Sequence, residues 1–252
     1  MKTEGRVVLI TGASRGIGKA IAGMFASQGD RIAVHYHADR AGAEATLAGL
    51  LGHTHKIFQA DLARPEEAQR LVEEVLHAME RIDVLVNNAG MFAHHPIADT
   101  GFQDWVSIWE HTLNTNLLGA AHASYWASRA MIRQGGGKII NITSRGAFRG
   151  EPDAPAYGAS KAGMNAMSQS LAKALAPYGI MVYAIAPGWV ATDMAAPYLE
   201  GVEGDAVRNQ SPLGRVADPD EIARTALFLA SPGTDYLTGC IIDVNGASYL
   251  RT

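Results

Sequence analysis

The chain has 252 residues, 48% of them hydrophobic, which is enough to bury one large core. Its formal net charge of −4 gives no general attraction to nucleic acid or to anionic membranes, so we expect neither as a partner. The single cysteine, Cys240, permits no internal disulfide, which fits the cytoplasm, the compartment that we expect. The first apolar run is too short for a signal peptide, and no apolar stretch approaches the roughly 18 to 20 residues of a membrane span.

Seven short β-rich runs alternate with stretches whose apolar residues recur every three or four positions. The runs are nearly continuous in apolar residues, as expected for a parallel sheet with helices on both faces. The sequence therefore predicts a single α/β domain over residues 1–252 with a mostly parallel, seven-stranded sheet. The predicted strands cover 6–10, 31–36, 55–60, 83–87, 137–143, 181–187 and 240–244.

The stretch 191–214 is the least regular part of the chain and is rich in glycine, proline and acidic residues. Long irregular segments in compact domains are often functional, so we expect either a lid over a site or a surface insertion.

A glycine-rich turn follows the first predicted strand directly and opens a helix at 16–29. Gly12, Gly16 and Gly18 occupy this turn. A turn without side chains lets backbone N–H groups approach a pyrophosphate, and the helix N-terminus adds partial positive charge. The position predicts a dinucleotide site, although the spacing G-x-x-x-G-x-G differs from the standard G-x-G-x-x-G fingerprint. Glycines that only shape the turn are the alternative.

The end of the second strand bears on which dinucleotide is bound. A site for NAD places an acidic residue about 20 residues beyond the glycines, where this chain has Tyr36 and then His37. Arg15 in the glycine turn and the nearby Arg40 are basic groups suited to a 2′-phosphate. The sequence therefore favours NADP(H), and it leaves NAD(H) open because Asp39 stands close enough to bind the ribose.

Two further polar features have more than one interpretation. Asp61 ends the third predicted strand, where its carboxylate either accepts from an adenine amino group or caps the next helix. Histidines occur as close pairs. No pair forms an HExxH motif, and no pair has a third potential ligand on the same helix face, so we expect no metal site.

A tyrosine and a lysine stand four positions apart in a predicted helix at 157–175. Tyr157 and Lys161 therefore share one helix face. A phenol with its usual pKa near 10 is a poor base at neutral pH, and the neighbouring ammonium is expected to lower that pKa. Ser144 ends a predicted strand, at the edge where open α/β sheets bind ligands. Taken alone, each has a structural alternative: a packed tyrosine, a solvated lysine and a serine that caps a helix.

Several motifs occur together and in one order along nearly the whole chain. They are TGASRGIG at 11–18, NNAG at 87–90, a serine thirteen residues before the tyrosine, YGASK at 157–161 and PGWVAT at 187–192. In this combination the chain resembles the short-chain dehydrogenase/reductase family. The resemblance implies a Rossmann-type fold and an NAD(P)H-dependent oxidoreductase that interconverts a ketone and a secondary alcohol.

The resemblance also assigns roles to residues. Ser144 would orient the carbonyl, Tyr157 would give its proton to the alcohol oxygen, and Lys161 would bind the nicotinamide ribose. Asn116, preferred to Asn114, would complete the catalytic set by holding a water that links the lysine to solvent. The cofactor would lie against residues of four motifs and two strand ends: Gly12, Ser14, Arg15, Gly16, Ile17, Gly18, Tyr36, His37, Asp61, Leu62, Asn88, Ala89, Gly90, Tyr157, Lys161, Pro187, Gly188, Val190 and Thr192.

The substrate stays open, as a small ketone or alcohol or an acyl thioester. A narrower hypothesis is a 3-oxoacyl-[acyl-carrier-protein] reductase, and a different class is a non-catalytic NADP(H)-sensing regulator. Such reductases often read DGG where this chain has NGAS at 245–248, and Ala247 predicts a less sharp turn there. Those that dock the carrier protein tend to have an arginine where this chain has APY at 176–178. Arg145 and Arg149 would bind an anionic group or form a subunit contact, and relatives commonly form homotetramers.

Overall fold

Seven strands form one sheet in the order β3-β2-β1-β4-β5-β6-β7, and every neighbouring pair is parallel. The computed structural model describes residues 5–251, without the side chain at position 203, so positions 1–4 and 252 of the predicted domain lie outside it. The predicted sheet is confirmed. Its strands are β1 (Val7–Ile10), β2 (Arg31–Tyr36), β3 (Lys56–Gln59), β4 (Val84–Asn87), β5 (Gly137–Ile142), β6 (Ile180–Pro187) and β7 (Ile241–Val244).

Helices cover both faces of the sheet and divide its apolar side chains into two cores. Within β1, Val8 and Ile10 belong to the core under α1 and α9, whereas Val7 and Leu9 belong to the core under α3, α5 and α7. This alternation explains why the strand is apolar at every position. The helices are α1 (Gly16–Ala26), α2 (Arg40–Ala48), α3 (Pro65–Met79), α4 (Phe102–Leu113), α5 (Gly119–Gln134), α6 (Gly146–Arg149), α7 (Pro155–Leu175), α8 (Gly201–Arg208) and α9 (Pro219–Ala230).

The order of the strands places a crevice beside the glycine turn. From β1 the chain crosses to β2 on one side, while β4 lies on the other side of β1. The loops that leave β1 and β4 therefore diverge at the carboxyl edge of the sheet, which is where open α/β sheets bind ligands. Among residues 5–251, no helix is both long enough and apolar enough to cross a bilayer.

The segment 191–214 is more regular than the sequence predicts. It contains a 3₁₀ turn at Ala196–Tyr198 and the helix α8. Its two ends are tied together, because the N–H of Ala191 donates to the Ala217 carbonyl and the N–H of Ala217 donates to the Trp189 carbonyl, each at 2.9 Å. The helix was missed because eight residues with few apolar positions carry almost no periodic signal.

The turn at 245–248 is as sharp as a glycine turn, so the expectation drawn from Ala247 is wrong. Ala247 has a left-handed φ of 56°, next to Gly246 at 58°. That conformation costs an alanine roughly 1–2 kcal/mol. Local hydrogen bonds offset this cost, since the hydroxyl of Ser248 donates to the Asn245 carbonyl at 2.7 Å and the Asn245 amide donates to the Tyr249 carbonyl at 2.9 Å.

Candidate active site

A cavity of about 460 Å³ lies at the carboxyl edge of the sheet, where the loops that follow β1 to β6 converge. All the predicted site residues line it except Gly18, Tyr36 and Asn116. No group of three or more His, Cys, Asp or Glu side chains in the described chain is placed to hold a metal ion. The cavity is lined by apolar and aromatic side chains together with hydroxyl, amide and charged groups.

The glycines of the first turn are required by its geometry. Gly12 and Gly16 have positive φ angles of 63° and 54°. A Cβ atom at Gly12 would lie 2.9 Å from the Cα of Ala89, and one at Gly18 would lie 2.3 Å from the Gly12 carbonyl oxygen. Gly18 thus serves the close approach of α1 to the turn and does not line the cavity, which corrects its predicted contact with the cofactor.

His35 holds this turn from β2, and the sequence analysis did not assign it a role. Its Nδ1 accepts from the Gly12 N–H at 3.0 Å, so its Nε2 carries the hydrogen and donates to the Ala60 carbonyl at 3.1 Å. Burial lowers the pKa of His35 to about 4, and the ring is neutral at physiological pH. The one sequence signal was a histidine inside an otherwise apolar strand.

The turn and the start of α1 fit the diphosphate of a dinucleotide. Within the described chain, no side chain caps the N-terminus of α1 and its first turn has no acidic residue. Its N–H groups are therefore free of competing side-chain acceptors. Across the cavity, the methyl group of Thr192 lies 3.2 Å from the position that a Cβ atom at Gly16 would occupy. The absence of a side chain at Gly16 therefore leaves room for Thr192 beside the turn, while the N–H groups of the turn stay available to a phosphate.

The groups around the end of β2 separate into those that face the cavity and those that do not. Arg15, His37 and Asp39 line it. Arg40 does not, and it pairs with Glu44 at 2.8 Å on α2. The Oδ1 of Asp39 accepts from the Gly42 N–H at 2.9 Å, and this hydrogen bond caps α2. It also occupies one of the two carboxylate oxygens that would bind a ribose.

Tyr36 departs from its predicted surroundings, whereas Asp61 lies where the sequence predicts. Tyr36 is 7% exposed and packs in the core under α1, because its position in β2 directs it to that face of the sheet. It does not line the cavity. Asp61 does, and both of its interpretations stay open: Oδ1 accepts from the Ala63 N–H at 3.1 Å before α3, while Oδ2 lies 3.9 Å from Nε2 of His37.

The structure brings the serine, the tyrosine and the lysine together in the cavity. The Oγ of Ser144 accepts from the Gly146 N–H at 3.0 Å, and the interaction of this hydroxyl with Tyr157 lowers the tyrosine pKa. The Nζ of Lys161 lies 5.8 Å from the centre of the Tyr157 ring and donates to the Ile142 carbonyl at 2.9 Å. Ser144 follows β5, and the other two lie one turn apart on α7, as their spacing predicts.

Burial sets the protonation of both titratable groups in this cluster. It raises the pKa of Tyr157 to about 12, an effect that the Ser144 hydrogen bond partly offsets and the charge of Glu151 adds to. It also lowers the pKa of Lys161 to about 8. The Tyr157 pKa in the chain itself is therefore raised and not lowered as expected, because the cost of burying a phenolate is the largest effect.

Asn116 lies behind the cavity wall and anchors a neighbouring loop. It sits in a π-helical turn, Asn114–Leu118, between α4 and α5. Its Oδ1 accepts from the Met91 N–H at 2.8 Å, and its Nδ2 donates to the Met91 carbonyl at 3.0 Å and to Ser160 Oγ at 3.1 Å. A Cβ atom at Gly90 would lie 3.3 Å from Asn116 Oδ1 and 3.4 Å from Lys161 Nζ, so the glycine lets both approach.

Aromatic rings form the wall opposite the glycine turn, and the sequence analysis did not single them out. Phe92 packs edge-on against Tyr157 at 5.2 Å between ring centres and against Tyr198 at 5.8 Å. Tyr198 in turn lies 5.6 Å from Trp189. Tyr198 belongs to the segment 191–214, so this segment closes one side of the cavity. Tyr198 is the single aromatic residue in the sequence of this segment, so its composition gave no signal.

Comparisons with known proteins agree with this architecture. The family model described as Enoyl-(Acyl carrier protein) reductase matches residues 12–247. The chain is 37% identical over 251 residues to a 3-oxoacyl-[acyl-carrier-protein] reductase of Aquifex aeolicus, with 99% of each chain covered. It is 36% identical over 244 residues to the reductase of the same name from a Synechocystis strain, with 96% of each covered.

A solved structure described as a dehydrogenase/reductase from Sinorhizobium meliloti 1021 has the same fold. It superposes with a TM-score of 0.90 at 30% sequence identity, covering 98% of this chain and 96% of the other. These matches extend over nearly the full chain, so they cover the sheet and every loop of the cavity. The chain therefore belongs to the short-chain dehydrogenase/reductase family, and it is a nicotinamide-dependent oxidoreductase that acts on CH–OH and keto groups.

Proposed function

We propose that the chain uses NADPH to reduce a ketone in this cavity, with Ser144 and Tyr157 as the groups that contact the carbonyl oxygen. The observation that carries the proposal is that Ser144, Tyr157 and Lys161 line one cavity that fits a dinucleotide, with the Lys161 ammonium 5.8 Å from the centre of the Tyr157 ring. Because the pKa of Tyr157 is about 12, the phenol holds its proton at neutral pH. A protonated phenol is the form that donates to a carbonyl oxygen, which supports the direction of reduction.

The contacts of each residue support a distinct role for it in the reaction. The Gly146 N–H occupies a lone pair of Ser144 Oγ, which leaves the hydroxyl proton available to orient the ketone oxygen. Tyr157 then donates its proton to the developing alkoxide. The bound nicotinamide supplies the hydride when the cofactor is present. Lys161 would bind the ribose and stabilise negative charge at the phenol oxygen. Asn116 positions the loop at Met91 beside the lysine.

Arg15 and His37 support a preference for NADPH, because both line the cavity while Asp39 caps a helix. A carboxylate in place of His37 would repel a 2′-phosphate and accept from ribose hydroxyls. His37→Asp is expected to shift the ratio of kcat/KM for NADPH to that for NADH at least tenfold toward NADH. Steady-state assays with each cofactor measure this ratio, and His53→Asp, at an exposed position outside the cavity, is the control. An unchanged ratio would rule out this phosphate site.

We propose a 3-oxoacyl compound as the substrate class. The curated relatives are named 3-oxoacyl reductases, whereas the family description names an enoyl reductase. The two hydroxyls favour the ketone reaction because both can contact one carbonyl oxygen. With NADPH, the chain is expected to reduce acetoacetyl thioester and to leave crotonyl thioester, which has a C=C bond and no ketone, unchanged. Reduction of crotonyl thioester alone would indicate the enoyl reaction. Tight cofactor binding with no turnover of any ketone would instead indicate a regulator.

Exposed apolar side chains on α4 and α5 support self-association. Phe102 is 76% exposed and Tyr125 is 56% exposed. Large exposed apolar groups often mark a protein interface. Our proposal therefore includes a homotetramer, and the cytoplasm is the compartment that we expect for it. The mass of the protein in solution tests the oligomeric state.

A further inference from the structure

A buried arginine next to the catalytic serine lacks a partner for part of its guanidinium. Arg145 is 3% exposed. Its Nη2 donates to Oε1 of Gln210, and its Nη1 has no hydrogen-bond partner among the described residues. Burial lowers the pKa of Arg145 to about 10, so it is still a cation at neutral pH. Because a buried charge is costly unless it is paired, an arginine placed this way indicates a missing anion.

A second cavity of about 500 Å³ adjoins the first, between the chain before α9 and the C-terminal segment. Arg145 and Trp189 line both cavities, so these two side chains form the boundary between them. The indole Nε1 of Trp189 is also buried without a hydrogen-bond partner among the described residues. Two unpaired donors therefore lie at one boundary, and both need an acceptor.

The other charged groups near this boundary already have partners. In the second cavity, Arg215 pairs with Glu221 and Arg251 pairs with Asp243, each at 2.7 Å. In the first cavity, Glu151 is held by Arg149 at 3.3 Å. No ion pair joins Arg145 to any carboxylate that the structure describes. The charge of Glu151 acts on Arg145 without forming an ion pair, so the positive charge at this boundary is only partly compensated.

We propose that Arg145, with the indole N–H of Trp189 as a second donor, binds a carboxylate on the ketone substrate. This inference rests on the proposed ketone reduction and extends it from acyl thioesters to oxo acids that carry a free carboxylate. Arginine presents a planar set of donors that matches a carboxylate. A subunit contact, the other role that the sequence left open, fits less well because Arg145 is already buried in the single chain.

The test compares methyl ketones whose carboxylate lies one, two or three carbons from the carbonyl, each with its own methyl ester. At least one acid is expected to have a kcat/KM tenfold or more above that of its ester. In Arg145→Met that advantage disappears while turnover of the ester is retained. Arg149→Met, the matched control at the neighbouring arginine, keeps the advantage. Trp189→Phe, which retains the ring and removes the N–H, is expected to reduce the advantage partially.

The outcomes separate this inference from the proposed function. Equal kcat/KM for acid and ester in every pair would overturn the inference while leaving ketone reduction intact, and so would an unchanged advantage in Arg145→Met. Titration calorimetry of the acids and esters against the wild-type chain with NADP⁺ provides a readout without turnover. Tighter binding of an acid than of its ester supports the inference even if no ketone is reduced, and equal binding overturns it. The wild-type comparison requires no variant to fold.

Discussion

Replacing Tyr157 with phenylalanine is expected to lower kcat by about 10²- to 10⁴-fold, the usual contribution of a general acid. The ring and its contact with Phe92 are retained, while the proton donor is lost. The Kd for NADPH is expected to change little, because the glycine turn and Arg15 are unaffected. Stopped-flow assays measure kcat, and titration of cofactor fluorescence measures Kd.

The matched control for this variant is Tyr178→Phe. Tyr178 is an exposed tyrosine after α7 that lies outside the cavity, so its hydroxyl should be dispensable. Near-normal turnover in Tyr157→Phe would show that another group donates the proton. Loss of NADPH binding together with turnover would show that the hydroxyl supports the cofactor rather than the chemistry.

Replacing Lys161 with methionine is expected to remove most turnover and also to stabilise the fold at pH 7. Burial lowers the pKa of Lys161 from 10.5 to about 8, which at roughly 1.4 kcal/mol per pKa unit corresponds to a cost of about 3 kcal/mol for the charged form. Loss of the hydrogen bond to the Ile142 carbonyl offsets about 1 kcal/mol of the gain. The net increase in the free energy of unfolding is therefore expected to be about 2 kcal/mol.

The pH dependence gives this prediction a sign that can be checked. The unfolded chain binds the lysine proton up to a pKa near 10.5, and the folded chain releases it near 8. The cost is therefore complete below pH 8 and disappears as the pH rises toward 10.5. Urea denaturation at pH 7, 9 and 10 should show the difference between variant and wild type narrowing. Lys173→Met, at an exposed position on the same helix, should show no such trend. A variant less stable than wild type at pH 7 would contradict the prediction.

The sheet and most of the cavity could be predicted because they depend on local patterns. Strands that are buried on both faces must be apolar at every position, and β1 shows why, since its alternate residues enter different cores. The glycine turn could be predicted as well, because Gly12, Gly16 and Gly18 are positions where a side chain would collide or strain the backbone. In each case the constraint leaves a visible pattern in a short stretch of sequence, as an apolar run or as closely spaced glycines.

The parts that could not be predicted depend on tertiary packing. One residue of strand register decides whether Tyr36 or its neighbour faces the cavity. In the structure the side chain of Tyr36 packs in the core. The direction of the Tyr157 pKa shift depends on burial, which the spacing of two residues does not reveal. Asn116 bonds to a loop 25 residues away, through a π-helical turn that has no sequence signature.

The hydrogen bonds that join positions 189–191 to Ala217 have a consequence for how this protein diversifies. They hold the chain on either side of the segment 191–214 together, so a change in the length or composition of the segment need not strain β6 or α9. The segment can therefore be exchanged as a unit, which would alter the molecules that enter the cavity while the proposed proton donor and the site of the hydride donor keep their positions. Grafting the corresponding stretch between homologues is the natural route to new selectivity in this scaffold.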